Sequence, residues 1–213
     1  IIAVGAGFLI YRTHHLHRSR EREEDALEVF NLRKIKDPKA SIDITFDHVS
    51  LFLNEVRADL GDSFEGVFAQ DRVKLKSARE RQRKIQRGSN IIAAPTNKNV
   101  RLENWQDADT THRYATTLSS LQEITESLRD IVVRSYLHVA NNHSGLLADQ
   151  IRELDEVRME VQEILERTAR ALREHDCPDC DEIAEKNRKL RIMVGKLDGQ
   201  QIKRIQDNRS KTR

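Results

Sequence analysis

Few side chains of this chain stand at spacings that perform chemistry, and each such set has a plainer use beside the chemical one. Glu126 and Asp130, four residues apart, share one helix face and form the carboxylate pair best spaced for a divalent cation, with Asp107 or Asp109 on a preceding turn. Two carboxylates fall short of the six or more oxygens a hard cation takes, so ion pairs with Arg129 or Arg134 are the expected role. His138, Asn141, Asn142 and His143 gather where a helix should end. Neutral His and Asn could receive a small ion there, but Asn tolerates left-handed backbone, and capping of the helix carbonyls is the expectation. Cys177 and Cys180 make a CxxC set with His175 nearby. Zinc would need a second ligand pair and thioredoxin-type chemistry a βαβ setting, which leaves a reduced turn shaped by Pro178 and Asp179. His138 could be imagined as a phospho-acceptor, but no Gly-rich phosphate loop accompanies it, and no Ser/His/Asp or Cys/His set is evident. The expectation is a protein that is not an enzyme and has no cofactor, with a divalent metal at Glu126 and Asp130 as the weak exception.

Charge points to a surface rather than a pocket. From 72 to 87 eight basic residues stand against Glu80 alone, a local charge of +7 in a chain whose net charge is +2. Arg72, Lys76, Arg79, Arg83 and Arg87 fall on one helical stripe that could lie against anionic lipid headgroups, at about 1 kcal/mol per charge. Nucleic acid is not the expected partner, because aromatic residues do not interleave with the basic ones and no reading motif is present. The plainer use is a solvated face paired with acidic residues such as Glu153, Asp155 and Glu156.

The elements that must position these groups are helices. Of 213 residues 34% are charged and 38% hydrophobic, with three Pro and eight Gly, too few turn formers for a β-sandwich or barrel. Apolar residues recur at helical spacing over 45–60, with Phe46, Val49, Phe52 or Leu53, Val56 and Leu60, and Gly61 is expected to close that helix. Further helices are expected over 63–87, 107–139, 147–174 and 181–206, with a linker at about 88–104 that carries Gly88, Pro95 and several Asn. Short connections between long amphipathic helices make antiparallel neighbours. Two cysteines are too few for a stapled scaffold and suit a reducing compartment.

Residues 1–11, IIAVGAGFLIY, would rise about 16 Å as a helix, roughly half the thickness of a bilayer's hydrocarbon core. The basic RTHHLHRSRER that follows matches the cytoplasmic flank of a membrane span. The expected organisation is therefore the end of a truncated transmembrane helix at 1–11, with Tyr11, His14, His15 and His17 at headgroup level. A juxtamembrane stalk at 12–38 and a cytosolic helical domain at 39–213 follow.

The segment ESLRDIVVRSYLHVANNHSGL, residues 126–146, resembles the cytoplasmic C-terminal region of bacterial inorganic phosphate transporters of the PiT family. ALEVFNLRKIKD at 26–37, KLKSARERQRKIQRGSNIIAA at 74–94 and QIKRIQDNRSKTR at the C-terminus are similar to it as well. The resemblance implies an all-α, PhoU-like antiparallel bundle of long helices. It also implies a regulatory cytosolic role beside a cation-coupled phosphate permease whose transport residues lie outside this chain. The implied partners are the transporter's own membrane helices, the lipid surface of the bacterial inner membrane and a homo-oligomer, with no nucleic acid. PhoU-like proteins carry E/DxxxD metal motifs, and Glu126 with Asp130 is the one plain match. The alternative is a membrane-tethered helical adaptor or signalling module that binds protein partners or anionic lipid.

Overall fold

Pro38 opens the first helix, a position where its fixed φ is already helical and its missing N–H costs nothing. A computed structural model describes residues 38–102 and 108–207, so the expected span end at 1–11 and the stalk up to residue 37 lie outside the described residues. Five helices and no strands occupy the described residues: α1 Pro38–Phe68, α2 Arg72–Leu102, α3 Ala108–Ala140, α4 Ala148–Glu174 and α5 Cys180–Gln206. The described residues are all-α, as the composition leads one to expect. Among the described residues no helix is long and apolar enough to cross a membrane.

Helix α1 is the hub, in contact with α2, α3 and α4, while α5 packs on α4. The core joins Val49, Phe52, Leu53, Val56 and Leu60 of α1 to Ala78, Ile85 and Ile92 of α2, Leu121, Leu128 and Val132 of α3 and Ala169 of α4. Helix α5 buries none of its residues. Among its half-buried positions, Ile183, Lys186, Leu190, Met193, Leu197, Gln200 and Arg204 step by three and four, the period of a coiled-coil seam, with Glu185 and Gln201 beside them.

Two expected boundaries are displaced. Gly61 does not end α1; it is buried within the helix, where a Cβ would lie 2.5 Å from Nε2 of Gln162 on α4. The missing side chain admits the Gln162 amide, which donates to the Arg57 carbonyl at 3.1 Å. Helix α1 therefore runs to Phe68, and α2 starts after Asp71, whose Oδ1 accepts from the N–H groups of Val73 and Lys74 at 2.9 Å each. The expected linker at 88–104 is helical as far as Leu102, and burial of Ser89 and Ile92 docks this extension of α2 on the bundle.

Three helices end by one device. Gln70, Asn142 and His175 adopt left-handed φ of 52°, 54° and 53°. After each, the next N–H reaches back five residues: Asp71 to the Gly66 carbonyl, His143 to His138 and Asp176 to Ala171. These are Schellman caps built without glycine.

Candidate functional site

The helix-end polar cluster is organised around one of these caps. Asn142 supplies the left-handed residue, and its N–H bonds the Val139 carbonyl at 3.1 Å, while Asn141 bonds Leu137 at 3.0 Å. The rings of His138 and His143 stack with centroids 5.3 Å apart, and His138 Nε2 lies 3.1 Å from the Ser144 carbonyl oxygen. The backbone bonds at Asn141, Asn142 and His143 are those of a helix cap.

Glu126 and Asp130 stand on an exposed face of α3. Asp130 pairs with Arg129 at 3.2 Å, the expected plain partner, and Gln122 reaches Glu126 at 3.5 Å. Among the described residues no group of three or more His, Cys, Asp or Glu side chains is placed to hold a metal ion.

The basic residues of α2 divide into two sets with different work. Lys74 and Arg81 face α1: Lys74 pairs with Asp62 and Glu65, and Arg81 with Asp59 and Asp62. Across the helix, Arg72, Lys76, Arg83 and Arg87 are exposed. Arg79 of the expected stripe is half-buried, its guanidinium 5.1 Å from the centre of the Tyr136 ring of α3, a cation–π contact that ties α2 to α3. Two of the acids named as a plain alternative are used elsewhere: Glu153 pairs with Arg204 of α5 and Asp155 with Arg158 of its own helix.

Beneath the Arg81 contacts lies a group that periodicity does not reveal. Asp59 is 1% exposed on the buried side of α1, and Arg81 Nε donates to its Oδ1 at 3.0 Å. Its Oδ2 and the Nε2 of Gln82 are buried without a hydrogen-bond partner. Burial pushes the Asp59 carboxyl up to about 6, against the opposing pull of Arg81. The available sequence signal was an acid within an apolar helical row, three residues after Val56.

At the join of α4 and α5 the reduced turn is replaced by a disulfide, Cys177–Cys180, with a Cα–Cα distance of 5.3 Å. The α4 cap at His175 and the short Pro178–Asp179 link bring the two cysteines together. A cleft of about 370 Å³ opens beside them, lined by Phe46, Thr168, Leu172, His175, Cys177 and Ile183 among others. Asp179, which precedes α5, takes the guanidinium groups of Arg167 and Arg170, both at 3.3 Å.

Fold and surface together define an all-α bundle that presents a basic helix face and a disulfide-closed turn. Comparisons of the chain with protein-family models, with curated proteins and with solved structures found no match.

Proposed function

We propose that this chain is the cytosolic, regulatory part of a cation-coupled inorganic phosphate transporter, a PhoU-like antiparallel bundle held at the inner face of a bacterial membrane. The reading rests on the resemblance carried by residues 26–37, 74–94, 126–146 and the C-terminal stretch, of which the Ser135 to His143 string is the most specific. An all-helical chain is the kind of fold that resemblance requires. The partners are the permease's own membrane helices and, through Arg72, Lys76, Arg83 and Arg87, the anionic lipid surface beside them. In this mechanism a shift in helix packing biases the permease through the stalk at 12–38.

Deleting everything after Lys36 in the intact transporter and measuring phosphate uptake tests this directly. Altered uptake, or lost response to phosphate status, supports the regulatory role; unchanged uptake and unchanged regulation remove it. One observation favours a second reading, a membrane-tethered adaptor without a phosphate link: the exposed basic stripe on α2 needs no permease to act. In that case uptake is unaffected by the deletion while association with anionic vesicles persists.

A further inference from the structure

We infer that Cys177 and Cys180 form a reversible thiol–disulfide site that sets how firmly α5 is held on α4. The inference is independent of any role in phosphate transport. Three features of the turn carry it.

The first is access. Cys180 is exposed and Cys177 half-buried, and both line the open cleft between Phe46 of α1 and the start of α5. A dithiol can therefore reach the bond without unfolding the bundle, and exposed disulfides are the labile ones.

The second is that both redox states can keep the turn. The bridge closes a loop of only four residues and joins no distant segments. Without it the turn retains the cap at His175, the hydrogen bond from the Cys177 N–H to Asp176 Oδ1 at 2.8 Å, and the grip of Arg167 and Arg170 on Asp179. The core of α1 to α4 includes neither cysteine.

The third is leverage on one weakly held element. Helix α5 buries no residue and is fixed to α4 by its seam and by polar links. These are Lys186 to Glu160 and Glu163, Arg167 to Glu182, Arg204 to Glu153 and Gln150 to Gln201. Cys180 is the first residue of α5, so the bridge pins the point where that helix begins.

The chemistry balances as ordinary exchange. One thiolate of an external dithiol attacks the sulfur of the more exposed Cys180, the sulfur–sulfur bond breaks, and Cys177 leaves as a thiolate that takes a proton from solvent. The second thiolate of the dithiol then attacks its own partner sulfur in the mixed disulfide and releases Cys180. The protein pair gains two electrons and two protons, and the dithiol becomes a cyclic disulfide. Excess of an oxidised dithiol reverses both steps.

The test places the full chain in buffers of graded reduced to oxidised glutathione, with reduced dithiothreitol as the fully reducing end point. Alkylation and mass spectrometry read the state of the pair, and hydrogen exchange reads each helix. The expected result is a reversible two-electron transition. In the reduced state amides of 180–190 exchange faster by up to roughly 20-fold, the ceiling set by loop-closure entropy for a four-residue loop. Exchange in α1, α2 and α3 stays the same. The Cys177→Ser, Cys180→Ser double variant should show the reduced pattern in every buffer. A pair that stays reduced in excess oxidised glutathione, or stays bridged in excess reduced dithiothreitol, overturns the inference. So do equal exchange over 180–190 in the two states and loosening of the whole bundle on reduction, which would make the bridge a structural staple.

Discussion

Single side chains in this bundle are decided by what surrounds them, and Asp59 is the sharpest case. Its carboxyl titrates at about 6 in the fold against an ordinary 3.8, because burial disfavours the charge more than Arg81 favours it. Between those values the folded chain holds a proton that the unfolded chain has lost, so stability falls as pH rises through the window. The full penalty above pH 6 is about 3 kcal/mol, and acidification from pH 7 to 5 should recover about 1 kcal/mol of it. Urea denaturation at the two pH values should show that gain in the parent chain and not in Asp59→Asn; identical pH dependence in both would mean that Asp59 is not the source. Asn142 gives a second prediction. Its left-handed φ costs Ala about 1 kcal/mol and costs Gly nothing, so Asn142→Ala should lower the thermal midpoint while Asn142→Gly holds or raises it. Equal midpoints for Ala and Gly would show that the cap carries no conformational strain. The cap was legible in the sequence because Asn at a helix end has a conformational preference of its own. Burial of Asp59 was not, since it depends on which neighbours close over it, and the Cys177–Cys180 bond was missed because a CxxC spacing does not reveal the turn geometry.

At the level of whole helices, legibility followed the turn chemistry. The ends of α3, α4 and α5 fall within a residue or so of expectation, because Asn141 to Gly145 and Asp176 to Asp179 punctuate a clear period. The join of α1 and α2 was misplaced because glycine serves two purposes that sequence cannot separate. Gly61 has the sequence context of a stop, whereas Gly61 and Gly66 both admit a neighbouring side chain. The true signal was Asp71, the side-chain cap of α2. In α3 the buried row passes through Leu121, Leu128, Val132 and Val139, while the neighbouring Ile131 is exposed, a phase that periodicity alone does not fix. The glycines make an element-level prediction. A Cβ at Gly66 would sit 2.7 Å from Cγ of fully buried Leu75. At Gly195 of α5 nothing lies within 4 Å. Gly66→Ala should therefore destabilise the bundle by about 1–2 kcal/mol even after the helix-propensity gain. Gly195→Ala should firm α5 by about 1 kcal/mol. Denaturant midpoints measure the first and hydrogen exchange within α5 the second; a stabilised Gly66→Ala would show that the α1–α2 contact is loosely packed.

Across the molecule, charge is sorted by partner, and this sorting gives the basic face its meaning. On α2, Lys74 and Arg81 are taken by Asp59, Asp62 and Glu65, and Arg79 by Tyr136. Exposed on the same helix is a row, Arg72, Lys76, Arg83 and Arg87, on a chain whose net charge is only +2. A field with so small a net charge does not draw the whole molecule to an anionic surface, so any such binding must come from orientation of this row. Sequence alone placed the row and could not tell that Arg79 is engaged, because its partner Tyr136 lies on another helix. With about 1 kcal/mol per charge near an anionic bilayer, replacing Arg72, Lys76 and Arg83 by Gln should weaken association with phosphatidylserine-containing vesicles by about a hundredfold. Replacing Lys196 and Lys203 of α5, also exposed, removes positive charge from a different helix and should leave binding within severalfold. Sedimentation with vesicles at low and high salt measures both, and binding by the parent chain should fall as salt shortens the screening length. Equal losses in the two variants would mean that overall charge governs the contact, and salt-independent binding would mean that apolar insertion does; either result removes the α2 face as the membrane-facing side.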